Sequence, residues 1–464
     1  MTTPPEHNFQ STFLQEMSWR GQIQQITDPA AMDKWLCEGD AASKKAYAGF
    51  DPTADSLTIG NLVTIMALAR WQRSSHTPVA LMGGATGLIG DPSGKSAERT
   101  LNGEDVVRAN VAAIEKIFAG GELFARGATA GQTNALRMVN NIDWLGKMGF
   151  LEALREIGKY FSVNMMIQKD SVKERLTNRD QGISYTEFSY MLLQAYDFFW
   201  LHKNDGVGAQ FGGSDQFGNI VVGKDLIDKK SSASAAHVER GGTQAFGLTW
   251  PLVTKADGGK FGKTESGAVW ISPHRTSPYA YYQFWLNSAD ADAIRFLKTF
   301  TFLSREEITA LEASQQANPG AREAQRTLAR EATRILHGTA AMENAEAAGK
   351  ALFSGDASSL MGLDLATLRE VFASVPNKLM SKALLGSGGA GEGEGLALLD
   401  VLVDPDLKLA ASKREARDFL TANAVTVNGK PVTLESRLKP ADLLHGCFIA
   451  IRRGKKQWAA TEWQ

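Results

Sequence analysis

Cysteine is nearly missing from this chain of 464 residues: only Cys37 and Cys447 occur, far apart and outside any metal-ligand spacing. That argues against a disulfide framework and a zinc site, and for a reducing compartment. Long apolar runs are also missing, and the opening Met-Thr-Thr-Pro-Pro-Glu-His lacks the apolar core of a signal peptide. A cytoplasmic protein without a membrane partner is expected. Charge of one sign is missing too, since Lys+Arg 50 against Asp+Glu 51 leave a formal net charge of -1. A uniformly basic nucleic-acid coat is therefore excluded, and any RNA contact must come from local patches. The 7 histidines form no Ser/His/Asp or Cys/His arrangement and no closely spaced metal cluster with Asp or Glu. Hydrolysis and protein-built metal chemistry have nothing to start from.

What is present begins with length, which exceeds one ordinary core and predicts about three domains. The stretch from Tyr47 to Gly60 reads Tyr-Ala-Gly-Phe-Asp-Pro-Thr-Ala-Asp-Ser-Leu-Thr-Ile-Gly and runs through Asn61 into a helical pattern. An apolar strand reaches Gly49 and Phe50, Asp51-Pro52 turn the chain, and Leu62, Ile65, Met66 and Ala69 mark one apolar helix face. Glycine lets a ligand approach the backbone, and a helix start offers N–H groups and a positive dipole end to an anion. A nucleotide is expected at this junction. A second strand, Pro78 to Met82, runs into the glycine-rich stretch that ends at Asp91, which completes a strand-helix-strand unit with both exits facing one crevice.

Far downstream, Lys260-Phe261-Gly262-Lys263-Thr264 places two cations and a hydroxyl on a short loop, a set suited to a triphosphate. Lys95 and Arg99 follow the glycine-rich stretch on a second loop, where they are either phosphate ligands or ordinary solvated charge. Tyr190, Gln194 and Asp197 lie four and seven residues apart, a polar stripe on one helix face where core is expected. Taken alone, Asp197 fits a helix cap or a surface carboxylate at least as well as a ligand. The strand Val207 to Phe211 again runs into glycine and an acid, and Asp215 there is a candidate ribose partner.

At the first junction and the lysine loop the chain resembles the class I aminoacyl-tRNA synthetases, whose signatures usually read His-Ile-Gly-His and Lys-Met-Ser-Lys-Ser. Gly83 to Pro92, Thr186 to Tyr190 with Gln194 and Asp197, and Gly212 to Gln216 narrow the resemblance to the bacterial-type tyrosyl-tRNA synthetases, in the family's order over nearly the whole chain. The resemblance implies Tyr47 and Asp197 on the substrate phenol, with Tyr190, Gln194 and Asp91 on its amino group. It places Gln216 at the carboxylate and Asn141 among the tyrosine contacts. It assigns ATP to Gly49, Asp51, Gly60, Asp215 and Lys263. Thr53, Thr58, Asn61, Lys95, Arg99, Lys260, Lys263 and Thr264 would handle the phosphates, with Mg2+ arriving on the triphosphate and tRNA(Tyr) as the second partner. The expected fold is α/β: a Rossmann-like parallel-sheet catalytic domain over 1–250, a linker carrying the lysine loop over 251–277, a helical anticodon-binding domain over 278–353, a connecting segment with a Gly-rich linker over 354–395, and a small α+β RNA-binding domain over 396–464. A homodimer follows from the family alone.

For RNA, Arg322, Arg326, Arg330 and Arg334 recur every four residues as a cationic ridge, or as a solvated helix paired with Glu323 and Glu331. Lys413, Arg414 and Arg417 on a short helix capped by Ser412 and Glu415, together with Arg452 and Arg453, concentrate basic charge in the last unit. The segment from Asp228 to Gly242 is expected to be an exposed polar excursion.

One departure matters. Thr58-Ile59-Gly60-Asn61 carries neither signature imidazole. Asn61 keeps an amide donor and Thr58 a shorter hydroxyl. One lost phosphate donor costs about 2.7–4 kcal/mol by analogy with oxyanion-hole donors, which slows an enzyme without abolishing it. The expectation is an active synthetase that leans on Thr53, Lys260 and Lys263. A weakened paralogue retained for RNA binding, a nucleotidyltransferase that adenylates a small acid, and a tryptophan-specific synthetase are the alternatives.

Overall fold

The structure, a computed structural model, describes residues 8–91, 102–124, 134–169, 172–173, 176, 183–232, 245–256, 258–259, 261–264, 267–354, 362–373, 375–386, 395–454 and 457–464, with only the backbone at 232, 263, 264 and 351–354. The chain divides into two compact units, Met1–Thr276 with Ser288–Leu328, and Ser277–Asn287 with Ala329–Gln464.

The first unit opens with α1 (Thr12–Trp19), a two-residue strand β1 (Gln25–Ile26) and α2 (Pro29–Cys37), which Asp28 caps by accepting from the Ala31 N–H at 3.0 Å. β2 (Lys45–Phe50), α3 (Ile59–Arg73) and β3 (Thr77–Met82) follow. β2 and β3 read as apolar runs without alternation, the pattern of strands covered on both faces, and they pair in parallel. α4 (Glu104–Ala119), β4 (Arg137–Asn140), α5 (Ile142–Leu145), α6 (Phe150–Glu156), α7 (Val163–Ile167), α8 (Tyr185–Asp205), β5 (Val207–Gly213), α9 (Phe217–Ser232) and β6 (Phe246–Trp250) complete the layer.

The sheet order is β1-β6-β5-β2-β3-β4, with β2 through β6 parallel and β1 antiparallel at the edge. The chain leaves β2 towards β3 and β4, then returns to the other side of β2 through β5. The crevice between the carboxyl ends of β2 and β5 is thus the topological switch point. This is the Rossmann-like parallel sheet that the sequence predicts. Two elements differ from that reading. β4 has two exposed and two half-buried residues and shows no strand alternation, so its segment reads as a break between helices. α9 continues through Ser232, with Lys224 donating to Asp228 at 2.6 Å, so helix replaces the first part of the expected polar excursion; 233–244 lie outside the described residues.

Trp71 of α3 is fully buried against Phe13, Trp35 and Phe211, tying α1, α2 and β5 to α3. The far end of α3 is anchored by charge. The Arg70 guanidinium donates to the carbonyls of Lys298, Thr299 and Thr301, and Arg20 donates to those of Lys298, Thr301 and Leu303. These are carbonyls at the end of the helix Asp290–Phe300, the groups that a helix leaves unpaired. The lysine loop leads into a two-strand ribbon, β7 (Lys263–Thr264) against β8 (Gly267–Ala268).

The second unit packs the helices Pro278–Leu286, Thr339–Ser354 and Leu365–Ala373, and ends in a five-stranded sheet. That sheet runs in the order β12 (Lys430–Pro431), β11 (Val425–Val427), β14 (Phe448–Arg453), β15 (Gln457–Trp463) and β9 (Asn377–Met380), and the two-residue strands β10 (Leu396–Ala397) and β13 (Arg437–Leu438) pair separately. β11 and β12 form a hairpin, with Asn428 and Gly429 both at positive φ in its turn, as an Asn-Gly pair favours. β9 pairs in parallel with β15, so this sheet already has a strand ahead of the Gly-rich stretch; 387–394 lie outside the described residues. Among the described residues no helix is long and apolar enough to cross a membrane.

Candidate active site

A cavity of about 390 Å³ opens at the switch point, lined by the ends of β2 and β5, the start of α3 and the polar face of α8. Tyr47 of β2 lies opposite Gln210 of β5 in the sheet register, and both face this space. Tyr47 is buried to 1% exposure, and its hydroxyl has no hydrogen-bond partner among the described residues. Burial, and then the charge of Asp197, push its phenol well above the ordinary value. An unpaired buried hydroxyl costs about 1–3 kcal/mol, so this position favours a ligand carrying a polar group.

Asp197 reaches the same space from α8, and burial pushes its carboxyl up to about 7. Two donors oppose that shift. Trp144 Nε1 donates to Oδ1 at 2.7 Å and Asn141 Nδ2 donates to Oδ2 at 2.9 Å. Trp144 is fixed in turn by stacking on Trp200 at 4.2 Å. Asn141, expected to touch tyrosine, is fully buried: it also donates to Thr86 Oγ1 at 3.0 Å and accepts from the Ala85 N–H at 2.7 Å. It thus stands behind Asp197 and is not among the described residues that line the cavity.

Beside them lies an acidic, amide-rich wall. Tyr190 donates to Asp51 Oδ2 at 2.9 Å and Thr86 donates to Asp51 Oδ1 at 2.8 Å. Asp51, expected on ATP, is thus held by a side chain of α8 and one of the glycine-rich turn. Gly83 makes this possible, because a Cβ there would stand 2.2 Å from Asp51 Oδ1. Gln216 donates to Asp91 at 3.0 Å, Gln194 donates to Gln216 at 3.3 Å, and Asn219 donates to Gln194 at 3.0 Å. Asp215 lines the space too, its carboxyl raised chiefly by burial. No Lys or Arg stands among the described lining residues, and Asp51, Asp91, Asp197 and Asp215 all do. Such a wall favours an ammonium group.

The remaining wall is the turn into α3, with Gly49, Thr53, Thr58, Gly60, Asn61 and Thr64. One expectation changes here. The Ile59 N–H at the helix start is already given to the Val269 carbonyl at 2.9 Å, so the helix offers fewer unpaired donors than the sequence implies. The same strand-like pairing continues as Ile271 N–H to the Leu57 carbonyl at 3.0 Å and Val269 N–H to the Gly262 carbonyl at 2.9 Å. Gly262 has φ +76, and a Cβ on it would meet Ile59 at 2.5 Å. The two signatures are therefore joined through backbone. Phe261 anchors the loop by packing on Phe296 and Phe300 at 5.1 and 5.2 Å. Lys95, Arg99 and Lys260 lie outside the described residues, as do the side chains of Lys263 and Thr264.

Comparison with known proteins fits this geometry. The model for class I tRNA synthetases of the tryptophan and tyrosine type matches residues 41–354, and that for the tyrosine–tRNA ligase C-terminal domain matches 389–461. Tyrosine–tRNA ligases of Dechloromonas aromatica and Chromobacterium violaceum are 48% and 47% identical to the chain, covering 98% of it and 100% of their own lengths. The truncated mitochondrial tyrosyl-tRNA synthetase of Aspergillus nidulans superposes with a TM-score of 0.64 at 30% identity, over 75% of this chain and 95% of its own. The chain belongs to the tyrosine–tRNA ligase family.

The cations expected to face RNA are less uniform than their sequence suggests. Arg322 lies before the helix Glu323–His337, at φ +51, and donates to the Ser288 carbonyl at 3.3 Å, so it does not extend the expected helical ridge. Arg326 is exposed on the helix, whereas Arg330 and Arg334 pair with Glu346 and Glu331 at 3.4 and 2.7 Å. In the last unit Arg414 and Arg417 are exposed, and Lys413 pairs with Asp400 at 2.7 Å. Arg453 is committed to the fold, donating to the Leu409 carbonyl at 2.5 Å and to Gln457; Arg452 lies over Trp458 at 5.5 Å. Gln210, Thr86, Trp144, Asn219 and Phe261 escaped the sequence reading. A glutamine inside a buried strand was the one local signal among them.

Proposed function

We propose that the chain activates L-tyrosine with ATP and transfers the tyrosyl group to the 3' end of tRNA(Tyr). The observation that carries this reading is the buried Tyr47 hydroxyl, without a partner among the described residues, in the same cavity as the doubly braced Asp197. A substrate phenol satisfies both groups. Phenylalanine leaves them unpaired, a mode of rejection for which this enzyme family is itself the standard example. The indole of tryptophan offers one donor and no acceptor, so it cannot serve both.

In the first step the tyrosine carboxylate attacks the α-phosphate of ATP, the bond to the bridging oxygen breaks, and pyrophosphate leaves. A carboxylate needs no base at neutral pH, so the protein acts by positioning and by stabilising charge on the leaving group. Asp51, Asp91, Tyr190 and Gln194 hold the ammonium end, and Gln216 orients the carboxylate. Gly49, Gly60 and Asp215 receive the nucleotide. Thr53, Asn61, Lys95, Arg99, Lys260, Lys263 and Thr264 address the phosphates, with Mg2+ entering as part of the nucleotide substrate. In the second step the terminal adenosine hydroxyl of the tRNA attacks the adenylate carbonyl and AMP leaves. Arg326, Arg414 and Arg417 are the exposed cations best suited to the tRNA.

The protein works in the cytoplasm as a homodimer. Support for the second copy comes from α6 and α7, where Phe150, Leu151 and Val163 are 67%, 80% and 58% exposed beside Leu154 and Ile167. The test of the whole reading is charging of tRNA(Tyr) with labelled tyrosine by the full-length chain. Charging that needs ATP and tyrosine supports it; adenylate formation that never reaches tRNA would overturn it in favour of a free nucleotidyltransferase.

A further inference from the structure

The last residues of α3 carry a second pocket, away from the nucleotide turn at its start. It holds about 380 Å³ and is lined by Thr12 and Glu16 of α1, Arg70 and Arg73 of α3, Ser74, Ser75 and Phe302, all within the first unit. Arg70 is 2% exposed. Its Nη2 supplies the carbonyls of Lys298, Thr299 and Thr301, whereas its Nε, also buried, has no hydrogen-bond partner among the described residues. A guanidinium does not give up its proton, so this donor stays charged and unsatisfied until an acceptor reaches it. The surroundings favour an anion as that acceptor. Arg73 stacks its guanidinium 3.7 Å from the Phe302 ring, which uses the face of the cation while its N–H donors lie in the plane. Glu16, the only carboxylate among the described lining residues, already accepts from Arg20 Nε at 2.6 Å and Trp19 Nε1 at 2.7 Å. Burial first, and then the charge of Arg20, hold the Arg70 guanidinium well below the ordinary arginine value; Glu16 opposes this and Arg73 adds to it. An anion between the cations relieves that strain.

We infer that this pocket binds a phosphate group, free or as a small phosphomonoester, between the Arg70 and Arg73 guanidiniums, with the hydroxyls of Thr12, Ser74 and Ser75 as further donors. Donors from α1, α3 and the turn after it suit a tetrahedral anion better than a planar carboxylate. α1 begins at Thr12 without a side-chain cap or an acid in its first turn, so its positive end adds to the wall. Asp33 takes the Gln10 and Ser11 N–H groups ahead of that helix at 2.8 Å and does not line the pocket. The negative end of α3 is closed by its own chain, since the Ser74, Ser75 and His76 N–H groups go to the carbonyls of Arg70, Gln72 and Trp71 at 3.0, 2.9 and 3.2 Å. Ser75 makes this turn at φ +70, where glycine is least strained, so the chain keeps a hydroxyl at a position that disfavours any side chain. The 15 residues of α3 separate this pocket from the nucleotide turn by about 21 Å. The inference therefore does not rest on the proposed reaction.

The test is calorimetric titration of the full-length chain with inorganic phosphate and with glycerol phosphate, at constant ionic strength and with chloride as the reference anion. Saturable phosphate binding is expected. Arg73→Ala, at an exposed position, should weaken it about tenfold or more, the effect of one lost charge-assisted bond. Ser75→Gly should weaken it a few-fold while Tm stays level or rises, because glycine suits the left-handed backbone. Lys263→Ala, in the lysine loop beyond the other end of α3, should leave phosphate affinity unchanged. Tighter binding of the ester assigns the pocket to a phosphomonoester and equal binding assigns it to the free ion; both uphold the site. Absence of saturable phosphate binding, a response that chloride reproduces, affinity unchanged in Arg73→Ala, or affinity lost in Lys263→Ala would each overturn the inference.

Discussion

The two walls of the cavity are built in opposite ways. The wall proposed for the phosphates is local in sequence: Thr53, Thr58, Gly60, Asn61 and Thr64 fall within one turn and one helix start, held by backbone bonds inside the turn and by the segment of Val269 and Ile271. The tyrosine wall is assembled from Tyr47, Thr86, Asn141, Trp144, Tyr190 and Asp197, brought from β2, the glycine-rich turn, α5 and α8 by the parallel sheet. A local wall has its shape before a substrate arrives but few fixed charges among the described residues. A long-range wall can bury a carboxylate and brace it from two sides. On the proposed reading, selectivity belongs to the tyrosine wall and rate to the phosphate wall, and each substitution below should move one and spare the other.

The largest effect is expected at Asp197. Asp197→Ala leaves the Trp144 and Asn141 donors and the substrate phenol without an acceptor, and should reduce kcat/KM for tyrosine about 10³-fold or more while erasing the preference over phenylalanine. Loss of rate with the preference intact would mean that selectivity lies elsewhere. Next comes the lysine loop. Lys263→Ala should lower kcat for pyrophosphate exchange about 10²–10³-fold with KM for tyrosine unchanged, and an unaltered kcat would remove the loop from the account.

A smaller effect tests the bracing. Trp144→Phe keeps the stack on Trp200 but loses one hydrogen bond to a carboxylate, worth about 1.5–3 kcal/mol. Tyrosine affinity, measured by calorimetry, should drop about tenfold to a hundredfold and Mg-ATP affinity should not change. The smallest effect is in pH. Burial raises the Asp197 carboxyl to about 7, and only its ionised form keeps every lone pair for the phenol and the two braces. Tyrosine affinity should be full above that value and fall about tenfold per unit below it, and Asp197→Asn should flatten the profile. Stability moves the other way: the native state binds this proton more tightly than the unfolded chain, so the contribution of Asp197 is full below 3.8 and is lost as pH rises through about 7.

This contrast also explains what could be read without coordinates. The strands β2, β3 and β5, the stripe Tyr190, Gln194 and Asp197, and the helix capped at Ser412 and Glu415 follow from periodicity and capping chemistry over a few residues. β4 escaped because a short edge strand with exposed residues has no period to show. For Asn141, resemblance carries a residue to the site's neighbourhood, and only the bond to Asp197 shows that it stands behind the wall. Trp144 and Thr86 look like ordinary residues until a partner some fifty positions away gives them work. Arg322 and Arg453 show the reverse failure, since spacing cannot reveal that a cation is engaged by a nearby carbonyl.

The most direct measurement is exchange of labelled pyrophosphate into ATP by the full-length protein, with tyrosine, phenylalanine and tryptophan each supplied alone, beside Asp197→Asn. Exchange with tyrosine only, and loss of that preference in the variant, is the predicted result. Equal exchange with all three amino acids, or a variant as selective as the unaltered chain, would contradict a phenol read by Tyr47 and Asp197.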